Sequence, residues 1–294
     1  MKNQIINWSI FIILSFIWGS SFVLMKEGLL ELTAYQVASI RILSAGVILL
    51  PFTINALRKI EKKKIKLIIW SGLLGSFFPA YLFCIAETKI DSALAGILNS
   101  LTPLFTIIIG VLFFQLEVKK QKYIGVTVGF IGLILLLLTK SNINFQSISF
   151  AFLILIATIF YGINVNLVSK HMKEIGSLNI AAVAFCFLII PSLFILYFTG
   201  YFKLQFISSS TILYSTVASS ILGIFGTAFA SVLFYVLVKR AGGIFASLVT
   251  YGIPFVAILW GIFYGEVVTL KELGCLLIIL LGVYLVNKKA PFKK

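Results

Sequence analysis

Apolar residues fall into ten long runs closed by charged or polar positions: 8–25, 33–57, 67–86, 92–116, 123–139, 147–169, 178–200, 211–238, 244–265 and 273–287. Nine runs hold no formal charge, and the second holds one, Arg41. Roughly 20 apolar residues suffice for a helix to cross a ~30 Å hydrocarbon core. The pattern therefore predicts an all-α polytopic membrane protein with ten transmembrane helices.

The fourth run, ALAGILNSLTPLFTIIIGVLFFQLE over 93–117, carries Pro103 in mid-span. Membrane helices tolerate such a break where neighbours re-satisfy the freed carbonyl. At about 100° per residue, Gly96, Pro103, Thr106 and Gly110 lie within about 60° of Asn99, forming one small, polar face. The pattern returns 151 residues later in ASLVTYGIPFVAILWG, where Ser247, Thr250, Pro254, Ala257 and Gly261 take those places. The same offset pairs Gly72, Gly75, Phe78, Leu82, Phe83 and Lys89 with Gly223, Gly226, Phe229, Leu233, Phe234 and Arg240. This predicts a duplicated unit, 1–140 and 147–287, joined by the polar segment 140–146. Five spans per copy is odd, so the second copy enters the membrane inverted. A binding site is then expected near the midplane, where matching helices meet.

Charge sets the expected orientation. Counting from the N-terminus, alternate segments hold Lys2, six bases over 58–66, three over 119–122, Lys170 and Lys173, Lys239 and Arg240, and four over 288–294. The other side has only Lys26, Lys89, Lys140, Lys203 and Lys271. Basic loops stay cytoplasmic, so a protein of the cell membrane with both termini in the cytoplasm is expected. Shifting one span would destroy this asymmetry.

A chain that is 61% apolar and 11% charged is not an ordinary soluble domain. Its net charge of +15 sits in short loops without a groove-reading motif, which argues against nucleic acid. Cys84, Cys186 and Cys275 lie singly in apolar runs and read as small hydrophobes. His171 is the lone histidine, and no GxxxxGK[ST] loop is present. No enzyme, metal or cofactor is expected. The partners expected are a small-molecule substrate and the lipid bilayer.

Polar and aromatic residues within the spans need partners or water, which turns them toward the bundle interior. Trp18, Tyr81, Asn99, Thr106, Tyr161, Asn164, Thr250 and Tyr251 are the candidate substrate-binding residues, with Pro103 and Pro254 as hinges. Interhelical hydrogen bonding is the competing reading for each single hydroxyl. Gly125 with Gly129, and Gly274 with Gly282, predict close helix packing. The aliphatic fifth and tenth spans are expected at the periphery or on a homodimer surface. Arg41 has two readings: an ion pair at the outer surface with Glu27, Glu31, Glu87 or Asp91, or attraction of a substrate carboxylate. No acid lies in mid-span, so Glu87, Asp91, Glu117 and Glu266, with Arg41, are the coupling or gating candidates.

Several stretches resemble a known family: WGSSF at 18–22, Arg41–Ile42 with Ala45, the proline run closing at Glu117, and its second copy closing at Glu266. They are similar to the ten-helix EamA-type permeases of the drug/metabolite transporter superfamily. The resemblance covers nearly the whole chain. It implies inverted five-helix repeats, alternating access, and movement of small metabolites, often amino acids. It also implies a cavity built from the first, third, fourth, sixth, eighth and ninth helices. The function expected is a secondary permease for a small neutral or zwitterionic, amino-acid-like metabolite, acting in efflux. The alternatives are an uptake permease for quaternary amines or other metabolites, and a non-carrier, either channel-like or an intramembrane enzyme.

Overall fold

The computed structural model describes residues 2–90, 92–139, 147–204, 210–263 and 269–287. They form ten main helical segments and a short 3-10 helix at Tyr201–Lys203. These are α1 (Lys2–Leu29), α2 (Ala34–Lys59), α3 (Lys62–Ala86), α4 (Ser92–Asn99 and Thr102–Phe114) and α5 (Lys120–Thr139). The second five are α6 (Ser147–His171), α7 (Ser177–Phe198), α8 (Ser210–Ala241), α9 (Gly243–Ser247, a 3-10 turn at Leu248–Tyr251, and Ile253–Phe263) and α10 (Leu270–Asn287). Six of the helices are long and apolar enough to cross a membrane, and shorter apolar helices accompany them.

Local chemistry sets the boundaries. Thr33 and Gln36 close a capping box at the start of α2, each side chain accepting from the other's backbone N–H. Gln36 also donates to the carbonyl of Thr199 at 3.1 Å, tying that end of α2 to the end of α7.

The prolines break α4 and α9 because each lacks an N–H and crowds the carbonyl four residues earlier. For Pro103 that carbonyl belongs to Asn99, and the Thr102 hydroxyl donates to it at 2.6 Å. For Pro254 it belongs to Thr250, and the Ser100 hydroxyl donates to it at 2.8 Å. The two breaks therefore touch, and each freed carbonyl finds a hydroxyl.

Helices pack in a pattern that repeats when each is exchanged for the one five places along. α2 lies on α7 and α5 on α10, while α3 and α4 flank α6 as α8 and α9 flank α1. The α5–α10 contact is backbone to backbone: a Cβ on Gly282 would lie 2.4 Å from the Gly129 nitrogen, and one on Gly125 would lie 2.9 Å from the Gly282 carbonyl oxygen. Gly274 does not share this role, since a Cβ there would meet nothing within 4 Å. Outward positions such as Ile190, Phe194 and Leu277 are exposed and apolar, as a lipid-facing surface requires.

Candidate functional site

Two helices carry a π-helical turn, α3 at Leu73–Phe77 and α8 at Leu222–Phe229. Such a turn widens the helix and shifts the carbonyl ladder, freeing an acceptor toward a neighbour. The Gly226 carbonyl accepts the indole N–H of Trp18 at 3.0 Å. Glycines let the next helix close on both turns. A Cβ on Gly226 would reach 2.6 Å from Ser21 Oγ, and one on Gly75 would reach 2.2 Å from Asn164 Nδ2. α1 meets α8, and α6 meets α3, through equivalent contacts.

These helices, with the broken helices α4 and α9, enclose a central cavity of about 880 Å³ of empty space, its open mouth included. Trp18, Asn99, Tyr161, Asn164 and Thr250 line it, as does Arg41. Trp18 packs on Phe234 at 5.3 Å between ring centroids, and Phe83 on Tyr161 at 6.2 Å.

Most polar groups in the wall already have partners. Asn164 accepts from Ser71 at 2.6 Å, and Ser71 shares a second hydrogen bond with the Tyr235 hydroxyl. Thr250 donates to Ser247, and Ser21 to Ile17. Fewer are left for a ligand. Among the described lining residues, the hydroxyls of Ser76, Tyr161 and Ser231 and the Asn99 side-chain N–H groups make no hydrogen bond, the Asn99 oxygen accepting from Thr102 at 3.3 Å.

The remaining sequence candidates fall elsewhere. The Tyr81 hydroxyl bonds Ser39 at 2.7 Å, locking α3 to α2 outside the cavity lining. Thr106 is fully buried, donates to Thr102, and offers its carbonyl to Asn166 at 2.8 Å. Tyr251 is buried with its ring over Gly129 and donates to the Val126 carbonyl at 3.0 Å, which fastens α9 to α5. All three are long, amphipathic or hydroxyl-bearing side chains whose polar atom found a helix instead of a cavity. Pro103 and Pro254 each sit second in the helical piece that follows a break.

The charged candidates separate as well. Arg41 makes no ion pair with a described acid. Its Nε donates to Thr227 Oγ1 at 2.6 Å, so the expected surface pairing gives way to a place in the cavity wall. Glu87 caps the end of α3, buried, with Oε2 accepting from Ser92 at 3.3 Å and Oε1 unpartnered. Glu117 is exposed between α4 and α5. Asp91 and Glu266 lie outside the described residues.

The lining also includes Phe22, Met25, Phe83 and Phe234, which polarity could not single out, and Ser76, a polar residue of the third run that was not among the sequence candidates. Phe83 and Phe234 do match each other at the 151-residue offset, the one signal that could have found them.

A bundle of apolar helices closed around a partly polar cavity is the architecture of a membrane transporter, and this chain is an integral membrane protein of that class. The model of the EamA-like transporter family matches residues 7–138 and again 148–288, and the chain belongs to that family. An uncharacterized transporter of Archaeoglobus fulgidus is 23% identical over 284 residues, covering 96% of this chain and 99% of that protein. Protein PagO of Salmonella typhimurium is 24% identical over 94% of this chain and 91% of its own length. A probable amino-acid metabolite efflux pump of the same organism is 24% identical over 160 residues, 54% of this chain and 51% of that protein. One solved crystal structure, 12% identical, superposes with a TM-score of 0.69 over 97% of this chain and 96% of the other, which is a likeness of fold.

Proposed function

We propose that this chain is a secondary permease of the cell membrane that exports a small neutral or zwitterionic, amino-acid-like metabolite. Units 1–140 and 147–287 act as inverted repeats that rock about the central cavity, with Pro103 and Pro254 as the points of bending and both termini in the cytoplasm. One observation carries this reading: the cavity wall draws on both units, with Trp18 and Asn99 from the first and Tyr161 and Thr250 from the second. A wall shared between two units is what alternating access requires, because relative motion then opens the same site to either side. The reciprocal helix contacts support the repeat, and the basic loops support the orientation. The name of the efflux-pump relative supports the substrate class and the direction.

Counterflow in proteoliposomes tests the proposal, using labelled neutral amino acids and quaternary amines, with and without an imposed pH gradient. Counterflow of amino acids alone is the expected result, and counterflow of quaternary amines alone would shift the substrate class. Movement only under the gradient would direct attention to Glu87, Asp91, Glu117 and Glu266 as coupling groups. Unsaturable flux would favour a channel, and no flux of any solute would overturn the carrier.

A further inference from the structure

A cation in the wall of an apolar bundle asks for a counter-charge, and Arg41 has none among the described residues. Its position is fixed from behind. A Cβ on Gly223 would lie 2.4 Å from the Arg41 carbonyl oxygen and 1.9 Å from Ser44 Oγ, so α8 bears directly on the α2 backbone at this residue. Its orientation is fixed at one nitrogen, where Nε donates to Thr227 Oγ1 at 2.6 Å. Thr227 also donates, at 3.3 Å, to the Leu222 carbonyl within the π-helical turn, so the acceptor is itself held.

The guanidinium has five N–H groups in a planar fork, and Thr227 uses one. Among the described residues the two terminal nitrogens have no protein acceptor. Glu87 feels the Arg41 charge at a distance without pairing with it, and spends Oε2 on Ser92. Arg41 is the one charged residue among the described residues lining the cavity. Leaving a cation desolvated and unpaired is costly, whereas a carboxylate accepting two parallel N–H bonds satisfies both partners. Around it the wall is neutral, with Trp18, Asn99 and Tyr161 among its residues. Such a wall accepts an ammonium group by ring faces or carbonyl dipoles. Among the described residues it offers no second cation to a second carboxylate.

We propose that the transported solute carries a single carboxylate and that this group docks on the Arg41 guanidinium, held in place by Thr227. The inference rests on the permease reading and names the group its site recognises. The lysine variant retains charge but loses the fork, which separates Coulomb attraction from bidentate recognition.

Binding is read without transport, as thermal stabilisation of the purified protein in detergent. The probes are leucine and threonine, their amides, isovalerate (a carboxylate without an ammonium) and isoamylamine (the reverse). The acids are expected to stabilise the protein, with the amides and the amine at least tenfold weaker in affinity, which corresponds to about 1.4 kcal/mol. Arg41→Gln should abolish the preference for acids, and Arg41→Lys should weaken binding while keeping it. If the glutamine variant does not fold, Thr227→Val serves, and should lower affinity severalfold with the preference intact. Equal stabilisation by amides and acids would overturn the inference. So would an acid preference that survives Arg41→Gln, or no stabilisation by any acid. Acid-selective binding without counterflow would sink the carrier and leave the carboxylate site standing.

Discussion

The indole N–H of Trp18 donates to the carbonyl oxygen of Gly226 at 3.0 Å, joining α1 to the π-helical turn of α8. That turn presents the carbonyl to the neighbouring helix. Trp18→Phe keeps a ring in the cavity wall but removes the indole donor from the carbonyl. A loss of about 1–3 kcal/mol is expected, seen as a lower melting temperature in detergent, with reduced counterflow. Unchanged melting would mean that the bond contributes nothing net.

Gly282 and Gly274 lie on the same helix and should respond in opposite ways. Gly282→Ala drives a methyl group into the backbone of α5, 2.6 Å from the Gly129 Cα, where no side chain can give way. The two helices must separate, and a loss of folded protein on size-exclusion chromatography is expected. Gly274→Ala meets open space and should be neutral, or stabilising by up to about 1 kcal/mol from helix propensity.

Asn99 and Tyr81 divide the cavity from its scaffold. Asn99→Ala removes unpaired N–H groups from the lining and should lower counterflow several-fold, with the melting temperature nearly unchanged. Tyr81→Phe strands the buried Ser39 hydroxyl and should cost about 1 kcal/mol of stability while leaving the transport KM alone. The reverse pattern would exchange their roles.

Gln115 ends α4 at a φ of 55°, the left-handed region, and is the one non-glycine with positive φ among the described residues. The Leu116 N–H closes the helix on the Gly110 carbonyl at 2.9 Å. A side chain at this position costs about 1–2 kcal/mol, which glycine avoids, offset in part by the greater freedom glycine has when unfolded. Gln115→Gly is expected to raise the melting temperature by a few degrees. A fall would show that the glutamine side chain holds the turn.

Burial pushes the Glu87 carboxyl up from its usual value of 4.5 to about 8, against smaller opposing effects from Lys26, the Ser92 hydroxyl and Arg41. Between those two pH values the folded protein binds more protons than the unfolded chain. Stability therefore falls as pH rises from about 4.5 to about 8, then levels off. The melting temperature should be higher at pH 5 than at pH 8, and Glu87→Gln, neutral throughout, should flatten that slope. A wild-type slope no steeper than that of the variant would show an ionised Glu87.

Ten helical segments, six of them long and apolar enough to cross a membrane, and both proline breaks were legible in the sequence by itself, because hydropathy, charge and the missing N–H of proline act locally along the chain. So was close packing at Gly125 and Gly129, since GxxxG spacing puts small residues on one face, whereas their partner, α10 through Gly282 and not Gly274, came from the tertiary structure. Five of the eight residues expected to hold substrate do line the cavity: Trp18, Asn99, Tyr161, Asn164 and Thr250. Tyr81, Thr106 and Tyr251 did not reach it, because which side of a helix faces a neighbour and which faces a void depends on how neighbouring helices cross. Two further features belong to the tertiary structure alone. The π-helical turns arise where Ser21 and Asn164 press on Gly226 and Gly75, residues far apart in sequence. Arg41 is drawn from the expected surface ion pair to the cavity by a threonine 186 residues away on α8. A hydrogen bond between helices so distant along the chain has no local signature, so the packed bundle alone decides where that charge points.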